Sequence, residues 1–207
     1  LIAGYTNAQP AGGTGTSYNY AVVRLNDTGS IDTGFGTGGK TLLDLGTNTS
    51  DSANSVVTQS DGKILIAGYT NAQPTGNTGT SMNYGVVRLN ANGTLDTSFG
   101  SSGKVLLDLG TNTTDTPRSV VTQSDGKILI AGSTNAQPAG VAGTSNNYGV
   151  VRLNANGTLD TGFGTGGKTL LDLGANTNDF ATSVVTQSDG KILIACLLYT
   201  SDAADDT

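Results

Sequence analysis

Three stretches of this chain begin almost alike: LIAGYTNAQP at Leu1, LIAGYTNAQP at Leu65 and LIAGSTNAQP at Leu129. The starts are 64 residues apart, and the units 1–64, 65–128 and 129–192 align without a gap. The second and third units are identical at 50 of 64 positions. Such a period confines the chain to repeat architectures, in which each unit buries its apolar face against the next. A fourth copy starts at Leu193 and loses register at Cys196, where Gly4, Gly68 and Gly132 predict glycine.

From that point the sequence CLLYTSDAADD resembles the in-frame translation of a sequencing-library adapter, and 196–207 is read as a non-native tail. The formal charge of −6 includes Asp202, Asp205 and Asp206, so residues 1–195 carry 13 Asp against 10 Lys plus Arg. The cationic residues are spaced one per element and never clustered, which is no footprint for nucleic acid. No apolar run approaches the roughly 20 residues of a membrane-spanning helix.

Within a unit, short apolar runs with glycine-rich punctuation predict an all-β fold. Taking unit 41–104, the strands are expected at residues 41–46 (TLLDLG), 55–59 (SVVTQ), 63–70 (KILIAGYT) and 83–90 (NYGVVRLN). No segment carries the helical period over ten or more residues. The second and third strands are separated only by Ser60, Asp61 and Gly62, a connection suited to a tight hairpin and too short for a parallel crossover. In the third strand Ile64 and Ile66 alternate with Leu65 and Ala67, so both faces are apolar and the strand is expected between two other sheets.

These features predict tandem four-stranded antiparallel repeats forming a partial β-propeller, with a β-solenoid as the alternative. The divisions are a partial repeat 1–40, blades 41–104 and 105–168, a partial repeat 169–195 and the tail. Residues 1–6, 20–26, 169–172 and 183–193 are expected to lack strand partners, supplied by missing blades of the same chain.

The blocks VVTQSDGKILIAG, YGVVRLNANGTLDTSFG and SSGKVLLDLG, in that order, resemble the delta-60 repeat, a bacterial β-propeller repeat. The resemblance covers essentially all of residues 1–195. It implies a large bacterial protein, surface-bound or secreted, and hence an extracellular location. What the blades of this family bind is not established.

The copies disagree at positions that are not spread evenly along the unit. Of 14 differences between units two and three, seven fall at or near two connections. Thr75/Ala139, Asn77/Val141, Thr78/Ala142 and Met82/Asn146 lie between strands three and four. Thr116/Phe180, Pro117/Ala181 and Arg118/Thr182 lie between strands one and two. In an up-and-down blade both connections emerge on one side, where scaffold loops build recognition surfaces. The expected contact face is therefore 71–82, 135–146, 111–118 and 175–182, with Asn77, Met82, Arg118, Val141, Asn146 and Phe180 as candidate ligand-binding residues for a glycan or protein. Drift of unpacked loop positions is the competing reading.

An enzyme is not expected. The chain has no His, and its one Cys lies in the tail, which removes the Ser-His-Asp and Cys-His arrangements and the common zinc sites. Paired carboxylates for glycoside hydrolysis remain the alternative, although Asp44, Asp61 and Asp96 recur in every unit and Asp61 suits a turn. Repeated Arg24, Arg88 and Arg152, and Lys40, Lys104 and Lys168, suit blade-to-blade contacts or a solvated face. FGTGGKT, residues 35–41, leads into a strand rather than the helix a phosphate loop needs. Asp51, Asp115 and Asp179 offer calcium-type donors, but Asx-turns are the expected role, so neither metal nor cofactor is assigned.

Overall fold

The computed structural model describes residues 1–174 and 177–199, with side chains to residue 196. Among these residues every regular element is a strand: β1 (Ile2–Thr6), β2 (Asn19–Val23), β3 (Lys40–Leu43), β4 (Asp51–Thr58), β5 (Ile64–Thr70), β6 (Asn83–Leu89), β7 (Lys104–Leu107), β8 (Asp115–Thr122), β9 (Ile128–Thr134), β10 (Asn147–Leu153), β11 (Lys168–Leu171), β12 (Asn178–Thr186) and β13 (Ile192–Tyr199). They form four sheets, β1-β2-β3, β4-β5-β6-β7, β8-β9-β10-β11 and β12-β13. All pairings within the sheets are antiparallel, which removes the solenoid alternative.

Local chemistry explains the hairpins. Between β4 and β5 the Gln59 N–H donates to Lys63 O and the Gly62 N–H to Gln59 O, with Gly62 at φ +83. Asp61 Oδ1 accepts the Lys63 N–H at 3.0 Å, the turn role expected of it. Only glycine holds such a φ without steric cost.

The sheets are offset from the repeat units as cut at 41, 105 and 169. The strand expected to open each unit closes the sheet of the unit before: β3 pairs with β2, β7 with β6 and β11 with β10. Residues 20–23 and 169–171 therefore have partners they were expected to lack. The physical reason is the connection between β6 and β7, where Asn90, Asp96 and Phe99 form successive turns that bring Lys104 back beside Val87. β4 also begins four residues before the expected Ser55, and a bulge between Ala53 and Ser55 keeps its apolar half facing the core.

The sheets stack face to face. Ile64 and Ile66 of β5 pack with Tyr20, Val22, Val87 and Leu89 in one core, while Leu65 and Ala67 pack with Tyr84, Val86, Ile128 and Ile130 in the next. The two-sided burial expected for this strand is thus realised, and each fully buried Ile or Leu contributes about 1.5–3 kcal/mol. β4 lies against β8 and β8 against β12, so the first strand of each sheet is innermost. The fan of sheets is not closed.

A set of hydrogen bonds recurs from sheet to sheet. Tyr20 Oη donates to Gly85 O at 3.0 Å and Tyr84 Oη to Gly149 O at 2.9 Å. Arg24 and Arg88 donate from Nη1 to Ala91 O and Ala155 O, each at 2.6 Å. Their guanidinium groups also lie 4.7 and 4.6 Å from the ring centroids of Phe35 and Phe99. Lys104 Nζ donates to Asp44 O and Lys168 Nζ to Asp108 O. Arg24, Arg88, Lys104 and Lys168 are blade-to-blade ties.

Candidate functional site

The end of the fan that carries the variable residues is built on an invariant frame. In the β5–β6 loop Gln73 Nε2 donates to Asn71 O and Ser81 O at 3.0 and 2.9 Å, and Asn83 Nδ2 donates to Ala72 O and Ser81 O at 3.0 and 3.2 Å. Asn71 Oδ1 accepts the Ser50 N–H at 2.7 Å. The same bonds recur through Gln137, Asn147 and Asn135. Residues of the NAQP motif thus close the loop stem. The tip is exposed, and it is the tip that differs between copies.

Asn77 sits on that tip and donates from Nδ2 to Asp108 Oδ2 at 2.6 Å. It borders a solvent-open groove of about 390 Å³ lined also by Pro74, Asp108, Thr111, Leu159 and Lys168. Its counterpart Val141 is 38% exposed, an apolar side chain where the previous copy has an amide.

Arg118 and Phe180 stand elsewhere than the sequence suggested. Thr116, Pro117 and Arg118 are not loop residues but part of β8, and Phe180, Ala181 and Thr182 are part of β12. Arg118 occupies the bulge between Pro117 and Ser119, at the position of Asn54 in β4. All three bulge residues, Asn54, Arg118 and Thr182, are exposed on the innermost strands. Asn54 Nδ2 donates to Pro117 O at 2.8 Å, tying neighbouring bulges together. The bulge breaks the period-two pattern, and the polar half of the strand hides the remainder, so only the apolar half was legible.

Met82 and Asn146 join the loop to this inner tier. The Asp115 N–H donates to Met82 O and the Asp179 N–H to Asn146 O, each at 2.8 Å. Asn146 additionally donates from N and Nδ2 to Asn178 Oδ1 at 2.9 and 3.0 Å. Met82 is thus tied to the strand that carries Arg118 and Asn146 to the strand that carries Phe180, whereas Asn77 and Val141 lie on the loop tips. Within the expected segment 175–182, residues 175 and 176 lie outside the described residues, as do 200–207 of the tail.

The carboxylates considered for calcium are already engaged. Asp115 is buried, accepting the Leu109 N–H at 2.8 Å on Oδ2 and the Thr134 and Thr113 hydroxyls on Oδ1. Burial pushes its pKa up to about 6 against the opposing pull of those hydrogen bonds. Burial likewise raises Asp51, the counterpart one repeat earlier. These residues lock each sheet's first strand to the preceding connection rather than facing solvent. Among the described residues no group of three or more His, Cys, Asp or Glu could hold a metal ion.

The opposite end carries a different cluster. Asp96 receives Lys63 Nζ at 2.8 Å and Arg88 Nε at 2.7 Å. Although burial pulls the other way, the bonds from Lys63, Ser98 and Arg88 hold its carboxyl well below the usual range. No described helix is long and apolar enough to cross a membrane, which says nothing of β-barrels.

A family model described as a domain of unknown function (DUF5122) β-propeller matches residues 1–35, 59–99 and 123–163, more than half of the chain. No curated protein matches it.

Proposed function

The chain belongs to the DUF5122 β-propeller family, and from that premise we propose a non-enzymatic binding or display module of a larger bacterial protein, exposed at the cell surface or secreted. The observation that carries this reading is the contrast at one end of the sheets. Invariant Asn71, Gln73 and Asn83 hold the loop stems by side-chain bonds, while residues 77, 82, 118, 141, 146 and 180 change from copy to copy on that frame. A rigid scaffold with replaceable surface side chains suits recognition, because little ordering entropy is lost on binding. The mixture of amide, guanidinium and apolar groups suits a glycan or a protein ligand.

The test is retention on glycan and matrix-protein arrays by the purified chain. Loss of a retained ligand in Arg118→Ala and Asn146→Ala supports the proposal. A retained ligand indifferent to substitution at all six positions, or no retained ligand, favours a structural spacer, the reading supported by the regular blade-to-blade ties. Turnover of activated glycosides would instead restore the hydrolase alternative.

A further inference from the structure

The amides that stitch the loop stems use only their nitrogens for the purpose. Gln9 Nε2 donates to Asn7 O and Ser17 O at 3.1 and 3.0 Å, and Asn19 Nδ2 donates to Ala8 O and Ser17 O at 3.1 and 3.3 Å. A backbone carbonyl can only accept, so these bonds fix each amide with its own oxygen turned the other way. In the later copies Asn83 Oδ1, Gln137 Oε1 and Asn147 Oδ1 are buried without a hydrogen-bond partner, and Asn83 and Asn147 are 0% exposed. An acceptor left in this state is costly. Its recurrence in successive copies points to a species that binds oxygen.

In the first copy Gln9 and Asn19 line a cavity of about 250 Å³ together with Asp44 and Asn48 of the β3–β4 connection, and neither Lys nor Arg lines it. Asn48 stands at φ +60, which Asn tolerates better than most side chains. Its Oδ1, like Gln9 Oε1, is 3.5 Å from the point at which a Cβ would stand on Gly15. Asp44 Oδ1 accepts the Gly46 N–H at 3.0 Å. The other carboxylate oxygen distinguishes the copies. In the second, Asn77 Nδ2 donates to Asp108 Oδ2 at 2.6 Å. The first has Gly13 at that position, so the loop brings no amide to Asp44 Oδ2. Lys104 turns to the backbone carbonyl of Asp44 and forms no ion pair with its carboxylate.

We propose that the first copy binds a calcium-sized divalent cation through Asp44 Oδ2, Asn48 Oδ1, Gln9 Oε1 and Asn19 Oδ1. The site has a single carboxylate and is separate from buried Asp51 and its counterparts. Amide and carboxylate oxygens from two loops suit the flexible, oxygen-rich shell of calcium rather than the strict octahedron of magnesium. One charge among neutral donors places the dissociation constant on the order of 10⁻⁴–10⁻³ M. In the second copy the Asn77 amide takes the place of the cation.

The experiment titrates calcium into the chelator-treated full chain by calorimetry and follows the side-chain amide resonances in parallel. One saturable site is expected, with shifts at Gln9, Asn19 and Asn48, and magnesium should bind at least tenfold more weakly. Gly13→Asn places in the first copy the amide that the second already carries on the same turn, since the Gly13 N–H donates to Pro10 O as the Asn77 N–H does to Pro74 O. It should weaken binding at least tenfold, as should Asp44→Asn, which keeps an oxygen for the Gly46 N–H. Asn77→Gly should raise the stoichiometry from one to two. The proposal is overturned by absence of saturable calcium binding, by unchanged affinity in Gly13→Asn and Asp44→Asn, by a stoichiometry of one in Asn77→Gly, or by shifts confined to other amides.

Discussion

Replacing Gly85 with alanine isolates the packing between sheets. Gly85 lies in β6 with an ordinary negative φ, so alanine meets no backbone penalty there. Taken alone, the change would stabilise by about 0.4–1 kcal/mol through the unfolded chain. The space decides otherwise. The new Cβ would fall 2.4 Å from Leu45 Cδ2, 2.8 Å from Tyr20 Oη and 3.2 Å from Thr70 Cγ2. Leu45 can shift its side chain, but Tyr20 is fully buried and anchored through its hydroxyl to the carbonyl of Gly85 itself. Overpacking costs about 1–3 kcal/mol, and two contacts under 3.0 Å put this site at about 2–3, leaving a net loss of about 1–2.6 kcal/mol, or roughly 2–10 °C in Tm for a chain of this size. Differential scanning calorimetry and urea unfolding measure it, with Ala21→Gly as the reverse control. Among the described residues no sheet lies against Ala21 to be relieved, so that change should show only the modest cost of glycine in a strand, about 0.5–1 kcal/mol. A neutral or stabilising Gly85→Ala would refute the face-to-face packing on which the architecture rests.

The tyrosine pair gives an opposed result: Tyr84→Phe should lose about 0.5–1.5 kcal/mol in urea unfolding through its bond to Gly149 O, while Tyr148→Phe should be neutral or stabilising because its hydroxyl is buried unpaired. Asp115 titrates near 6 in the fold against about 3.9 unfolded, so its contribution to stability is greatest below the unfolded value and is lost as pH rises through about 6. Asp115→Asn should flatten that slope in urea midpoints measured from pH 4 to 7. Asp96, depressed instead, contributes fully above the usual carboxylate range, and that contribution is lost as the pH falls through its folded pKa. Gln73→Ala should speed amide exchange across residues 74–80 at a global cost of about 1 kcal/mol or less, since it cuts the two bonds closing the loop.

Much of the architecture was legible because the repeat makes every inference three times over. The Asp61–Gly62 hairpin and the two apolar faces of β5 follow from turn chemistry and strand alternation, and both stand in the structure. The sheet boundary did not, because nothing in the four residues of β7 says whether they pair backward to β6 or forward to β8. That choice is made by the turns through Asn90, Asp96 and Phe99. The inner strands were half legible, since the Asp51–Asn54 segment is polar and bulged, and buried Asp51 looks in sequence like a loop residue. Arg118 and Phe180 were singled out correctly as variable and placed wrongly for that reason. The ties of their strands to Met82 and Asn146 are backbone bonds between sheets that no single-sequence pattern encodes.

Chemical-shift mapping of an array-retained ligand on the isotopically labelled chain tests directly whether the variable end is a contact surface. The prediction is that perturbations cluster at residues 75–82, 114–118, 139–146 and 178–182 and spare the turns at 60–62, 91–93 and 124–126. Shifts confined to those turns, or the absence of any retained ligand to map, would contradict it.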